Sequence, residues 1–461
     1  MEGPDTPKIC LAPGDGGGPL PANLQSAAPP AAPAGAAAPG AGAGRGGGRG
    51  GGQQFGGFLA PNKEAPAPPP PADAAAGRGG GRGGNQNASY QRIRQLGVTH
   101  LLGVGVGGGA GGGWTEESVR RAVDTAKEAG LVAYNAMINV PNSVIYGRET
   151  RAKDLEPFIA SIQAAGKGGL QVAEYNFYAH RATEGYYETV GRAKAGYTAF
   201  DSELELLTDP ETGAVVGPIY RDENGKITPE TLAAFPNAKH VKFKDLPAMA
   251  GECKTLATGT TKPDLNGPDC RHTLDEMWAN ITYFLKAVIP VAEKAGVRMA
   301  LHPNDPPAPI ARGSQQIMGS LAGWKHLIEI VNSPANGITF DCGVTRELGE
   351  NAVTTAEYFA SRKRINHVHY RNVLVVKPYE KYQELFIDAG QNDMFGVMKA
   401  LVKNKYTGTI YPEHPRAFDA DRDRVGPGGR VGGYPGGGGY TGITYSVAYT
   451  RAMMQAALET V

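Results

Sequence analysis

Residues 275–296 read DEMWANITYFLKAVIPVAEKAG and residues 297–307 continue VRMALHPNDPP, and this stretch decides the fold. Its first part carries apolar residues at helical spacing, and Gly296 is a good helix stop. Its second part is a short apolar strand, Val297–His302, cut off by Pro303-Asn304-Asp305-Pro306-Pro307. That string continues neither a strand nor a helix. A surface turn rarely needs an imidazole at its mouth, whereas a site built at the end of a strand often does. His302 therefore marks the place to look.

The same strand-then-helix unit recurs on both sides. Strands are expected at 99–106 (THLLGVGV), 131–140, 170–178 (LQVAEYNFY), 297–302, 337–342 (GITFDC), 365–370 (INHVHY) and 407–414 (TGTIYPEH). Helical periodicity fills 115–129, 154–165, 274–295, 323–331, 355–361, 394–403 and 446–458, with Gly130 and Gly166 as further stops. An eighth strand, KICLA at 8–12, precedes PGDG, and its helix falls at 88–96. Eight alternations make a closed (β/α)8 TIM barrel the economical architecture, with an open doubly wound sheet as the alternative. Residues 1–14 then hold the first barrel strand, 15–88 an overgrown loop, and 89–461 the catalytic domain. Turn signals crowd residues 201–272, an excursion expected to cover the barrel mouth, and a glycine block at 425–439 looks like a flap.

Residues 15–88 are almost wholly Gly, Ala and Pro with scattered Arg, a composition too poor in apolar surface to offset ordering, so disorder is expected. The GRGG units around Arg45, Arg49, Arg78 and Arg82 lack interleaved aromatics, and nucleic acid is not expected as a partner. Lys+Arg total 46 against Asp+Glu 45, so no whole-molecule field favours an anionic partner. Four cysteines are too few for a disulfide scaffold, and Cys253 and Cys270, close in sequence, could pair in an oxidising compartment. No apolar run is long enough to cross a membrane and the N-terminus is unlike a signal peptide. The cytoplasm is the expected location, the periplasm the alternative if a leader was removed ahead of Met1. Gly103, Gly105 and Gly108 fit G-x-G-x-x-G after a strand, but the next strand (LVAYNAMINV) lacks the ribose-binding acid, so a nicotinamide site is rejected.

Strand C-terminal ends converge in a barrel. In order they carry Glu174-Tyr175-Asn176-Phe177-Tyr178, His302, Asp341-Cys342, His367-Val368-His369-Tyr370-Arg371 and Glu413-His414. Any one histidine there is more often structural than a ligand, and a lone Cys342 is more often a small buried hydrophobe. Imidazole, thiolate and carboxylate arriving from four consecutive strands are what a transition metal requires. On that reading His302 is a ligand and the proline-rich string stiffens the turn behind it.

At these motifs the chain resembles the mannonate dehydratases, metal-dependent sugar-acid lyases with a xylose-isomerase-like barrel. The resemblance rests on ALHPNDPP (300–307), VNSPANGITFDCG (331–343), HVHYRN (367–372), FIDAGQNDM (386–394), YPEH (411–414) and GYTG (439–442). It implies His302, Cys342, His369 and Glu413 as metal ligands, with Glu413 standing where the family has aspartate. It implies His414 and Tyr440 as the catalytic pair, one taking the C2 proton of a sugar acid and one protonating the departing C3 hydroxyl. Mn2+ or Fe2+ is the expected ion, because two nitrogens, one sulfur and one oxygen leave positions open for substrate. Arg371, Asn372 and Asn176 are expected substrate-binding groups, and Asp305 and Asp388 are weaker candidates, since turn aspartates have local reasons to exist. A homo-oligomer is compatible with all of this. The rival readings are a sugar isomerase or epimerase using Glu174 with Glu413, and a non-catalytic sugar-acid or RNA binder.

Overall fold

The computed structural model describes residues 3–17, 82–107, 113–222, 225–254, 263–422 and 434–461. Eight parallel strands run through them: β1 (Lys8–Leu11), β2 (His100–Leu101), β3 in two segments (Val132–Ala133 and Asn135–Met137), β4 (Val172–Tyr175), β5 (Arg298–Leu301), β6 (Asn336–Asp341), β7 (Ile365–His369) and β8 (Thr409–Tyr411). The order around the sheet is β3-β2-β1-β8-β7-β6-β5-β4-β3. It closes because the first segment of β3 pairs with β2 and the second with β4. This is a closed barrel rather than an open sheet.

A helix follows each strand: α1 (Arg82–Gln95), α2 (Glu116–Glu128), α3 (Arg151–Gly168), α4 (Leu274–Ala295), α5 (Leu321–Ile330), α6 (Ala352–Ser361), α7 (Met394–Lys403) and α8 (Tyr440–Thr460). Local chemistry sets their starts. Thr115, Thr273, Ser320, Asn351 and Asp393 each accept a backbone N–H of the first turn of α2, α4, α5, α6 and α7. Gly296 ends α4 with φ of 71°, in the left-handed region that glycine enters without strain. Gly166 is not the stop expected of it, because α3 runs on to Gly168. A Cβ on Gly166 would stand 2.2 Å from the Ala295 carbonyl oxygen, so its glycine serves the close approach of α3 to α4. Met277, Ile281, Phe284, Leu285, Val288 and Ala292 form the buried stripe of α4 that holds it on the barrel.

Most of the 15–88 tract, for which disorder was expected, lies outside the described residues, as do 425–433 of the glycine block. Two expectations are corrected. The excursion begins before residue 201: Tyr186–Val190, Gly196–Asp201, Lys381–Glu384 and Val373–Lys377 make a four-stranded antiparallel layer, while 201–272 itself holds the strand pair Glu205–Thr208 and Lys239–Lys242 among turns and short helices. Half of that layer comes from the segment between β7 and α7, a pairing too distant in sequence for local patterns to show. The last helix starts at Tyr440, six residues earlier than its periodicity indicates, because the Asp421 carboxylate accepts the Thr441 and Gly442 N–H groups at 2.9 and 3.0 Å. Within the excursion, Cys253 and Cys270 are joined as a disulfide. Among the described residues no helix is long and apolar enough to cross a membrane.

Candidate active site and metal centre

β5 to β8 deliver their chemistry to one place. His302 follows β5, Asp341 and His369 end β6 and β7, and Glu413 and His414 follow β8. The His302 Nδ1 lies 2.7 Å from the Pro303 carbonyl oxygen, which turns its Nε2 toward the His369 Nδ1 at 3.2 Å. That same His369 nitrogen is 2.8 Å from Glu413 Oε2 and 4.0 Å from Asp341 Oδ2. Three of the four expected ligands, His302, His369 and Glu413, are thus together. The fourth is not. Asp341 caps the short helix Cys342–Glu347, and Cys342, its first residue, is fully buried within the hydrophobic core. Burial and the Asp341 carboxylate push its thiol well up, so it stays protonated in this arrangement. The group that could close on an ion is His302, Asp341 and His369, with the adjacent carboxylate in the cysteine's stead.

Arg371 organises the centre. Its guanidinium meets Glu347 at 2.7 Å, Glu413 at 3.0 Å, Asp305 at 3.1 Å and Asp341 at 3.2 Å. With its donors taken by protein carboxylates and only 2% of its surface exposed, Arg371 holds the site rather than gripping a ligand's carboxylate. Asn372 is likewise engaged, donating to the Ile387 carbonyl and accepting from the Val373 and Asn392 N–H groups. Asn176 is different: it follows β4 half-buried, its amide near only the Met137 sulfur at 3.7 Å among the described residues, and remains available to a hydroxyl.

His414 sits in a left-handed backbone conformation, φ 47°. Its Nδ1 is 3.0 Å from Glu384, a buried acid also bound by Arg416 at 2.8 Å, and its Nε2 is 3.6 Å from Glu413. Burial alone would lower its pKa, but the Glu384 and Glu413 carboxylates outweigh that and raise it to about 9. Tyr440 is not beside it. The Tyr440 hydroxyl donates to the Arg92 carbonyl on α1 at 3.1 Å. The phenol against His414 is Tyr434, with ring centroids 4.8 Å apart and its hydroxyl 3.3 Å from the Pro415 carbonyl oxygen. Sequence reasoning missed it, although a single tyrosine inside VGPGGRVGGYPGGGG was a signal. It also missed Glu347, Glu384 and Arg416, which have no motif and are brought in only by tertiary packing.

Acids outnumber cations here. Glu174, Asp305, Asp341, Glu347, Glu384 and Glu413 stand around Arg371, Arg416 and His414, with burial pushing Glu174 up to about 7 and Asp341 to about 6. A buried excess of carboxylate beside neutral imidazoles is a donor set that a divalent cation completes. The excursion supplies a roof: Asp305 also accepts from Tyr186, while Tyr382 stands 3.4 Å from the same carboxylate.

The chain is similar to known proteins in sequence and in fold. The family model described as D-mannonate dehydratase (UxuA) matches residues 81–459. The mannonate dehydratase of Streptococcus equi subsp. zooepidemicus is 29% identical over 357 residues, covering 76% of this chain and 86% of the relative. That of Enterococcus faecalis is 28% identical over 334 residues, covering 71% and 85%. The crystal structure of mannonate dehydratase from Streptococcus suis serotype 2 superposes with a TM-score of 0.59 at 23% identity, over 80% of this chain and 91% of that one.

Proposed function

The chain belongs to the D-mannonate dehydratase family, hydro-lyases by reaction, and from that premise we propose that it converts D-mannonate to 2-keto-3-deoxy-D-gluconate and water. The observation that carries the reading is the imidazole of His414, bracketed by Glu384 and Glu413 at the rim of a carboxylate-rich centre.

The ion we propose is Mn2+ or Fe2+, held by His302, His369 and Glu413 with Asp341 alongside; Cys342 joins them only if the short helix at 342–347 shifts. When bound, such an ion supplies a Lewis acid for the substrate carboxylate and C2 hydroxyl and for the enediolate that develops. This chain's own residues do the rest. With the Glu413 charge offset, His414 loses one of the two carboxylates that keep it protonated, and as a neutral imidazole it takes the C2 proton. Tyr434, whose phenol burial keeps protonated, gives its proton to the C3 hydroxyl, which leaves as water. Tyr440 keeps this role only by leaving the Arg92 carbonyl, and we assign it to Tyr434 instead. Asn176 binds a sugar hydroxyl, and Tyr186 and Tyr382 close the roof against water. The longer Glu413 side chain spans one extra methylene from its strand.

The isomerase or epimerase reading needs Glu174 facing substrate, but Glu174 is 2% exposed and accepts from Thr339 at 2.8 Å inside the barrel. The deciding experiment is proton NMR of the purified Mn2+-loaded protein with D-mannonate in D2O. Appearance of the keto acid is expected; deuterium exchange or epimerisation at C2 of the mannonate without water loss would overturn the proposal. Tyr434→Phe and Tyr440→Phe, assayed side by side, separate the two phenols.

A further inference from the structure

We propose that the barrel holds a second, deeper metal site made by Glu174, His367 and His369, with His369 shared between the two centres. This rests on the reading of the upper centre as a metal site but uses different atoms. His367 and His369 are two residues apart on β7, so both project to the barrel interior. The upper group engages His369 through Nδ1, whereas its Nε2 faces down toward Glu174. One ligand atom from each of Glu174, His367 and His369 lies within 4.8 Å of the others, and all three residues are buried.

Two observations point to an ion there. The first is that the Nε2 atoms of His367 and His369 are both buried without a hydrogen-bond partner among the described residues. Buried polar nitrogens are rarely left so. His367 is 0% exposed and its other nitrogen is satisfied, 2.8 Å from the Thr409 hydroxyl, which leaves Nε2 to face the group. The second is the spacing. Glu174 Oε1 is 3.6 Å from His369 Nε2, too long for a hydrogen bond. Two ligand atoms each about 2.0–2.1 Å from a tetrahedral ion stand about 3.4 Å apart, which is close to this separation. The supporting contacts are also those of a ligand shell. Thr339 and Asn135 donate to the Glu174 carboxylate at 2.8 and 3.3 Å, and Glu413 fixes the far side of the His369 ring at 2.8 Å. Two imidazoles and one carboxylate favour a zinc-like divalent transition ion over magnesium or calcium. Shut in by the strands, it would exchange slowly.

The test is metal stoichiometry on the full chain, stripped and reloaded with Zn2+ or Co2+, desalted, and measured by mass spectrometry and by the Co2+ visible spectrum. Two equivalents per chain are expected for the wild type. His367→Phe should retain one equivalent and the reaction, and Glu174→Gln should retain one equivalent; His302→Ala should retain one and lose the reaction. A single wild-type equivalent that His367→Phe and Glu174→Gln leave in place would overturn the deep site. A single equivalent lost in His367→Phe and kept in His302→Ala would support the deep site and overturn the upper one. Should one of the two deep-site variants fail to fold, the other carries the same test.

Discussion

Two buried arginines tie this molecule together, and they do it with opposite charge balances. Arg371, at the strand ends, faces Asp305, Asp341, Glu347 and Glu413, and more acids stand beyond. Arg312, in the loop after β5, meets one carboxylate, Glu184, at 2.7 Å and two backbone carbonyls, Gly213 and Pro247, at 2.7 and 2.9 Å. His180 bridges Glu184 and Glu252 beside it. The Arg312 knot is close to neutral and is finished: it pins the excursion to the barrel. The Arg371 knot keeps a surplus of negative charge that protein cations do not cancel. Burial and ion pairing alone do not mark a functional site; an uncancelled charge does.

The strongest test of that contrast replaces each arginine with methionine. Breaking a buried ion pair by removing one partner costs about 3–5 kcal/mol, so both variants should lose stability on this scale in urea unfolding. Only Arg371→Met should also abolish turnover, because only that knot places His369, Glu413 and Asp341. Equal loss of turnover in Arg312→Met would erase the distinction. Next in size is the ion itself. Saturating the wild type with Mn2+ at about 100 times its dissociation constant should add about 2.7 kcal/mol, read as a rise in Tm. His302→Ala should show much less of it, and His180→Gln the full amount.

The two knots should also respond to pH in opposite directions. His414 rises from 6.5 to about 9 and Glu174 from 4.5 to about 7 in the folded, metal-free protein. Their contributions are fully present below 6.5 and 4.5 respectively, and are lost as pH climbs through about 9 and about 7. Glu184 falls from 4.5 to about 2, held there against burial by His180 and Arg312, so its contribution is present above 4.5 and lost as pH falls through about 2. Tm of the metal-free protein should therefore fall toward alkali in the wild type and less so in His414→Gln, while Glu184→Gln should flatten the acid side. The smallest effect is a control. The exposed pair of Arg120 with Glu116 on α2 should change stability by no more than about 0.5 kcal/mol when Glu116 becomes Gln.

Legibility in the sequence followed the range of the interactions. The eight strands and helices show as local periodicity, and His302, His369 and Glu413 could be placed because a barrel sends every strand end to one side. Cys342 could not. It sits one residue past β6, where a helix begins, so strand alternation no longer says where its side chain goes, and Asp341 takes the inward position. Arg371 lies in the expected place with a different task, since its partners Glu347 and Glu384 arrive from segments no local pattern connects to it. Tyr434 and Tyr440 both flank a glycine run, and only the packing of α8 against α1 tells them apart. The disulfide between Cys253 and Cys270 needed coordinates, because pairing depends on proximity rather than spacing.

β1 has one more consequence. Lys8 and Ile9 pair with Thr409 and Ile410, and Cys10 and Leu11 with His100 and Leu101, so the first barrel strand in chain order is enclosed between the last and the second. Nearly the whole chain must emerge before the barrel can be sealed. Besides the peptide link, Ser89 donates to the Pro13 carbonyl at 2.6 Å and Arg92 to the Gly16 carbonyl at 3.0 Å, so β1 and α1 are also held side by side. Cut between β1 and α1, the protein should reassemble from a short peptide and a large fragment, and its N-terminal segment could be supplied in trans.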